Sequence, residues 1–146
     1  MKKIVLALIL ALGFGVSAMA EDTYAHDASV LPQSAQSTIS GNFKSKISVV
    51  KIEKDFGRVS EYEVTLNDGS EISFDRHGNW KNVEVNVAKS VPSSIVPQGI
   101  KNYVQRKHAG QRIVGIEKER NGYDIELSNG VEIKFNKEAQ FVRYDD

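Results

Sequence analysis

Apolar and polar residues alternate over Tyr62-Glu63-Val64-Thr65-Leu66 and again over Tyr123-Asp124-Ile125-Glu126-Leu127. A period of two is the pattern of a strand buried on one face. Asn67-Asp68-Gly69 and Asn129-Gly130 follow these runs as tight-turn signals that tolerate positive φ. Each turn leads into a second alternating run carrying Ile72 and Phe74, or Ile133 and Phe135, and Arg76-His77-Gly78-Asn79 predicts a further turn before Trp80. Upstream of each strand group the period lengthens. Ile100, Tyr103, Val104 and Lys107 recur at helical spacing after Pro97, with Gly110 as a stop. Ala35, Ile39 and Phe43 give a weaker stripe after Pro32, because Ser34, Ser37, Thr38, Ser40 and Gly41 are poor helix formers. Proline suits the first helical turn, where its missing N–H costs nothing.

The two series are copies of one another. Leu31-Pro32-Gln33, Ile52-Glu53-Lys54 and the run from Tyr62 to Phe74 match Val96-Pro97-Gln98, Ile116-Glu117-Lys118 and the run from Tyr123 to Phe135, with Trp80 opposite Phe141. The pattern predicts an α+β protein of two tandem units, residues 31–90 and 91–146. Each unit is a helix followed by four short antiparallel strands, and 87–96 is the joint. Units of about 60 residues bury too little surface to be stable alone. The two are therefore expected to form one compact domain, with both helices on one sheet face and the other face open to solvent.

Lys2 and Lys3 precede an uncharged apolar run from Ile4 to Val16, and small residues end in Ala18-Met19-Ala20. A basic start, an apolar middle and an A-x-A site predict a signal peptide over residues 1–20, cleaved between Ala20 and Glu21. A polar, flexible tail is expected over residues 21–30. The absence of cysteine excludes disulfides, thiolate metal sites and a lipid-modified N-terminal Cys. It favours a bacterial periplasm over a eukaryotic secretory route, so the expected product is soluble and periplasmic, or secreted. Lys plus Arg equals Asp plus Glu at 19 each, and loss of Lys2 and Lys3 leaves a slightly acidic mature chain with no nucleic-acid footprint.

Leu31-Pro32 followed by Tyr62, Val64, Leu66, Asp68, Gly69, Ile72, Phe74, Asp75, Gly78 and Trp80 resembles the PepSY-like, putative beta-lactamase-inhibitor-like family of exported bacterial proteins. The second copy matches less fully, with Asn136, Ala139 and Phe141 in place of Asp75, Gly78 and Trp80. The resemblance covers the chain from Leu31 onward and implies a fold like that of beta-lactamase inhibitor protein, whose free sheet face binds a partner. The motif residues are turn glycines and inward apolar groups, so they specify a fold and not a chemistry.

No catalytic constellation accompanies them. There is no G-x-S-x-G elbow and no phosphate-cradling loop. His26, His77 and His108 are not spaced as metal ligands. The chain is read as a non-enzyme without cofactor or metal. Strand alternation places Glu61, Glu63, Glu71, Ser73, Asp75, Asp124, Glu126, Glu132, Lys134 and Tyr144 on the open sheet face, together with Lys81, Val83, Val85 and Val142. An alternative turns the last three valines and Tyr144 inward after a bulge. The expected function is binding, and through it inhibition, of a periplasmic or secreted protein by that face. No nucleic acid and no membrane anchor are expected after cleavage. The alternative is a small-ligand or peptide sensor with a pocket between the two repeats.

Overall fold

The computed structural model describes residues 20–145; the expected signal peptide lies outside these residues except for Ala20. The elements in chain order are β1 (Ala20–Ala25), a single 3-10 turn (Ala28–Val30), α1 (Gln33–Asn42), β2 (Ile47–Asp55), β3 (Arg58–Leu66), β4 (Glu71–Asp75) and β5 (Trp80–Glu84). They continue with α2 (Gln98–Lys107), β6 (Ile113–Glu119), β7 (Gly122–Leu127), β8 (Glu132–Asn136) and β9 (Phe141–Asp145). The strands form one nine-stranded antiparallel sheet in simple sequential order.

Register explains how this sheet divides apolar from polar residues. One row of Cα partners runs Ala25, Val50, Val64, Ile72, Val83, Ile116, Ile125, Ile133, Tyr144 across all nine strands. Directly opposed residues share a face. From Val50 to Ile133 this row is fully buried. The pairing of β5 with β6 joins the two halves, and a single apolar cluster holds Val64, Phe74, Ile125 and Phe135 together with Ala35 and Ile39 of α1 and Ile100 and Val104 of α2. Both helices therefore cover one face. The joint contributes Val91, Ile95 and Val96 to the same cluster, so it is part of the core.

Helix α1 forms despite its composition because packing overrides propensity. Ala35 and Ile39 are buried, and Gln36 and Asn42 donate side-chain bonds to Leu31 and Thr38 carbonyls. Pro32 and Pro97 stand just before the first turn, and Phe43 and His108 occupy equivalent C-cap positions. The β4–β5 turn docks on the start of α1: Ser34 Oγ donates to the His77 carbonyl at 2.9 Å. Gly78 has φ +85°, and a Cβ there would lie 2.2 Å from Ser34 Oγ. In the second half the small residue has changed sides. Gly99 stands on the helix and Ala139, at φ 59°, on the turn. A Cβ on Gly99 would lie 2.7 Å from the Ala139 carbonyl oxygen.

Residues 21–30 differ from the flexible tail expected. Ala20–Ala25 pair with Val50–Asp55 as strand β1, and Asp27 caps the 3-10 turn by accepting from the Ser29 N–H. His26 Nδ1 lies 2.8 Å from the Ser48 carbonyl oxygen. Thr23 and Ala25 join the core-side rows through Ile52 and Val50, a short alternation that polar neighbours hide in the sequence.

Candidate functional site

With both helices on one side, no layer of secondary structure among the described residues covers the other face of the sheet. Its middle row runs Tyr24, Lys51, Glu63, Ser73, Asn82, Glu117, Asp124, Lys134, Arg143. Beside it a second row runs Thr65, Glu71, Glu84, Gly115, Glu126, Glu132, Asp145. Asp22, Glu53, Glu61 and Asp75 form a third on β1–β4. Most of the acidic side chains of the protein thus lie on one surface. On the other side α1 carries no charge, and α2 carries Lys101, Arg106 and Lys107 with no acid. A composition balanced in sign conceals an acid-rich sheet face and, across the core from it, a helix α2 whose only charges are basic.

Two lysines neutralise the ends of the middle row. Lys51 Nζ lies 2.8 Å from Glu53, 3.6 Å from Asp22 and 3.8 Å from Glu63. Its bond to Glu53 raises its pKa, with the charges of Glu63 and Asp22 adding to the effect. Lys134 Nζ lies 3.2 Å from both Glu119 and Asp124. Glu117, Glu119 and Asp124 bring carboxylate oxygens within 4.8 Å of one another, and the Lys134 ammonium supplies positive charge there. Asp124 is only 5 % exposed, and burial raises its pKa, helped by its bond to Glu119. That same bond lowers Glu119. Among the described residues, Oδ1 of Asp124 and Oε2 of Glu63 are sealed from solvent and meet only an ion-pair partner, Lys134 at 3.2 Å and Lys51 at 3.8 Å.

Between these lysines the carboxylates are uncomfortable. Burial raises Glu63, and the charge of Glu53 raises it further. Burial and then Glu84 and Glu63 raise Glu71. Burial and then Glu119 and Asp124 raise Glu117. Desolvation and like charge both disfavour the ionised form.

The expected site residues are therefore largely brought together, with corrections. Glu61, Glu63, Glu71, Ser73, Asp124, Glu126, Glu132 and Lys134 share the open face. Asp124 is buried rather than exposed, with Glu117 and Glu119 of β6 and Lys134 of β8 packed against it. Asp75 lies on this face, but its carboxylate is taken up by its own turn, accepting from the N–H groups of His77 and Asn79 and from the Asn79 amide. Tyr144 lies on the opposite face. A bulge between Lys134 and Phe135 of β8 leaves Val142 out of register and turns Tyr144 toward α2. There its hydroxyl lies 2.8 Å from Tyr103 Oη and 2.9 Å from His108 Nε2. The equivalent bulge at Lys81 sends Val83 and Val85 into the core and brings Asn82 and Glu84 to the open face. Sequence reasoning missed Lys51, Glu53, Glu84, Glu117 and Glu119. Alternation with Ile52 and Ile116 marked four of them; Glu84 required the bulge.

Clefts lie elsewhere. One of about 720 Å³ between α2 and the β8–β9 turn is lined by Gly99, Tyr103, Arg106, Ala139 and Phe141. Two others, of about 490 and 340 Å³, border the joint at Lys89–Pro92 and at Val91–Val96. Among the described residues no helix is long and apolar enough to cross a membrane.

The family model described as putative beta-lactamase-inhibitor-like, PepSY-like matches residues 19–68 and 60–143. No curated protein matches the sequence. Similar solved structures include a putative periplasmic protein of unknown function from Bacteroides vulgatus, with 35 % identity and TM-score 0.80 over 86 % of this chain and 100 % of that one. A putative calcium-regulated periplasmic protein from Bacteroides thetaiotaomicron is 32 % identical, with TM-score 0.78 over 86 % and 97 % of the two chains. Another putative periplasmic protein from Bacteroides vulgatus is 31 % identical, with TM-score 0.78 over 90 % and 100 %.

Proposed function

The chain belongs to the PepSY-like, putative beta-lactamase-inhibitor-like family, and from that premise we propose that it is an exported periplasmic protein, built from two tandem helix-plus-four-strand units, which binds another protein through the open face of its sheet. The binding is non-catalytic, and inhibition of a periplasmic enzyme is the form it takes. One observation carries the reading: the uncovered face holds a band of half-buried carboxylates whose ionisation the protein itself disfavours. A surface that costs stability while serving no core is the mark of a site kept for a ligand. The periplasmic assignment rests on the leader pattern and on the periplasmic relatives.

The test is a pull-down of the mature chain from its native periplasm, repeated with Glu126→Lys on the sheet face and Lys107→Glu on α2. The reading expects the first to release the partner and the second to retain it. Retention by Glu126→Lys with loss in Lys107→Glu would place the partner on the helices instead. The clefts beside the joint support a second reading as a small-ligand or peptide sensor. A thermal shift with a metabolite panel in the absence of any protein partner would favour it.

A further inference from the structure

We infer that β9 is an acceptor edge: an extended segment of another protein pairs with it antiparallel, setting a β-branched aliphatic residue opposite Tyr144 and a carboxylate opposite Arg143. This surface is the rim of the sheet rather than its open face, and the inference stands apart from the open-face reading. β9 is the last strand of the sheet, and among the described residues no strand lies beyond it. An edge strand presents a row of unpaired N–H and C=O groups, a template for strand addition by another chain.

The repeat itself shows what such a strand takes. Ile72 faces Val83 and Ser73 faces Asn82, just as Ile133 faces Tyr144 and Lys134 faces Arg143, with the same bulge before Phe74 and before Phe135. β9 is thus the counterpart of β5. β5 is not an edge: β6 pairs with it antiparallel, with Ile116 opposite Val83 and Glu117 opposite Asn82. Under that cover Val83 is fully buried, whereas its counterpart Tyr144 is 45 % exposed. Phe141 and Val142 are exposed as well, so three of the five residues of β9 are large apolar groups in contact with water. Two of the rings are already held in place. Phe141 stacks on Tyr103 with centroids 4.9 Å apart, and the Tyr144 hydroxyl meets Tyr103 and His108. Side chains fixed in advance lose little freedom on binding.

Carried over to β9, the β5–β6 register sets the aliphatic residue against Tyr144 and the acid against Arg143. The charge match is better than within the chain, because an arginine stands where β5 has Asn82. Arg143 lies 3.4 Å from Asp145, but its side chain is 64 % exposed and its guanidinium has room for a second carboxylate. Opposite charges facing one another across antiparallel strands stabilise the pairing. The chain's own strands with this pattern are β2, with Ile52-Glu53, and β6, with Ile116-Glu117. Both already have a strand on each side. A second copy would have to break its own sheet to supply either, so the occupant is a different protein.

Because that protein is unidentified, the probe is a capped peptide with the sequence of Ile113–Glu119, added to the mature full-length chain. Amide shift changes and slowed amide exchange should concentrate on Phe141–Asp145. An Ile116→Pro peptide should not bind, since proline removes a strand N–H. A Glu117→Lys peptide should bind about fivefold more weakly, like charges replacing opposite ones. Arg143→Glu in the protein should reverse that order and prefer the Glu117→Lys peptide; a thermal melt checks that the variant folds. Failure of the unsubstituted peptide to bind, equal binding of the Ile116→Pro peptide, or no reversal in Arg143→Glu would overturn the inference. So would shifts confined to β1 or to the open face. Sedimentation of the protein alone should show a monomer. A dimer with protected β9 amides would overturn the inference by making a second copy the occupant.

Discussion

Replacing Gly78 by alanine tests how the β4–β5 turn is seated on α1. The new Cβ would lie 2.2 Å from Ser34 Oγ and 2.8 Å from the Pro32 Cβ, at a backbone φ of +85°. The left-handed conformation costs a non-glycine residue about 1 kcal/mol. Overpacking adds about 1–3 kcal/mol. Gly78→Ala should therefore lose about 2–4 kcal/mol. Ser34→Gly alone should lose about 1–1.5 kcal/mol, from its bond to the His77 carbonyl and from the helix propensity of glycine. The second half shows the compensated arrangement, with glycine at position 99 on the helix and alanine at 139 in the turn. The double variant Ser34→Gly/Gly78→Ala should then be more stable than the sum of the singles by about 1 kcal/mol or more, a coupling typical of residues in contact. Urea denaturation of the four proteins measures it. Simple additivity, or a double variant worse than the sum, would refute the steric account.

Other expectations follow from the same packing and charges. Glu71 has its pKa raised above 4.5 by burial and by Glu84. Its contribution to stability is fully present below 4.5 and is lost as pH rises through the folded-state value. Glu71→Gln should raise the melting temperature at pH 7 and change it little at pH 4; a lower melting temperature at pH 7 would contradict the assignment. Trp80 is half-buried against the core with Lys118 Nζ 4.0 Å from its ring centroid. Trp80→Ala should cost about 2–3 kcal/mol, below the range for a fully buried tryptophan. In the unsubstituted protein Trp80 fluorescence and far-UV circular dichroism should report one coincident transition, because the core is shared. Deleting residues 21–25 from the mature chain uncovers the edge of β2 and should lower the melting temperature by at least about 4 °C, the shift of one kcal/mol in a domain of this size. No change would mean that β1 contributes nothing.

Much of this architecture is legible in the sequence because its rules are local. Period-two alternation at Tyr62–Leu66 and Tyr123–Leu127 and the Asp68-Gly69 and Asn129-Gly130 turns predict the central hairpins, and residue pairing follows from them. The candidate face is legible to the same extent, since Glu63, Glu71, Glu126 and Lys134 alternate with core residues. What escapes is whatever a one-residue irregularity or a distant contact decides. The bulges at Lys81 and Val142 reverse the facing of everything after them, so Glu84 appears on the open face and Tyr144 leaves it. Strand β1 exists because β2 offers it an edge, which nothing in residues 20–25 announces. The burial of Asp124 and its proximity to Glu117 and Glu119 arise from packing across β6, β7 and β8. Alternation assigns a face; it does not say how tightly that face is packed.

Site-specific photocrosslinking in living cells tests the open-face account most directly. A benzoylphenylalanine placed at Ser73 stands in the middle row of the sheet face, and one at exposed Gln105 stands on α2. The account predicts that illumination joins the Ser73 probe to a periplasmic protein and leaves the Gln105 probe unjoined. Crosslinks from Gln105 to a partner, with none from Ser73, would contradict it.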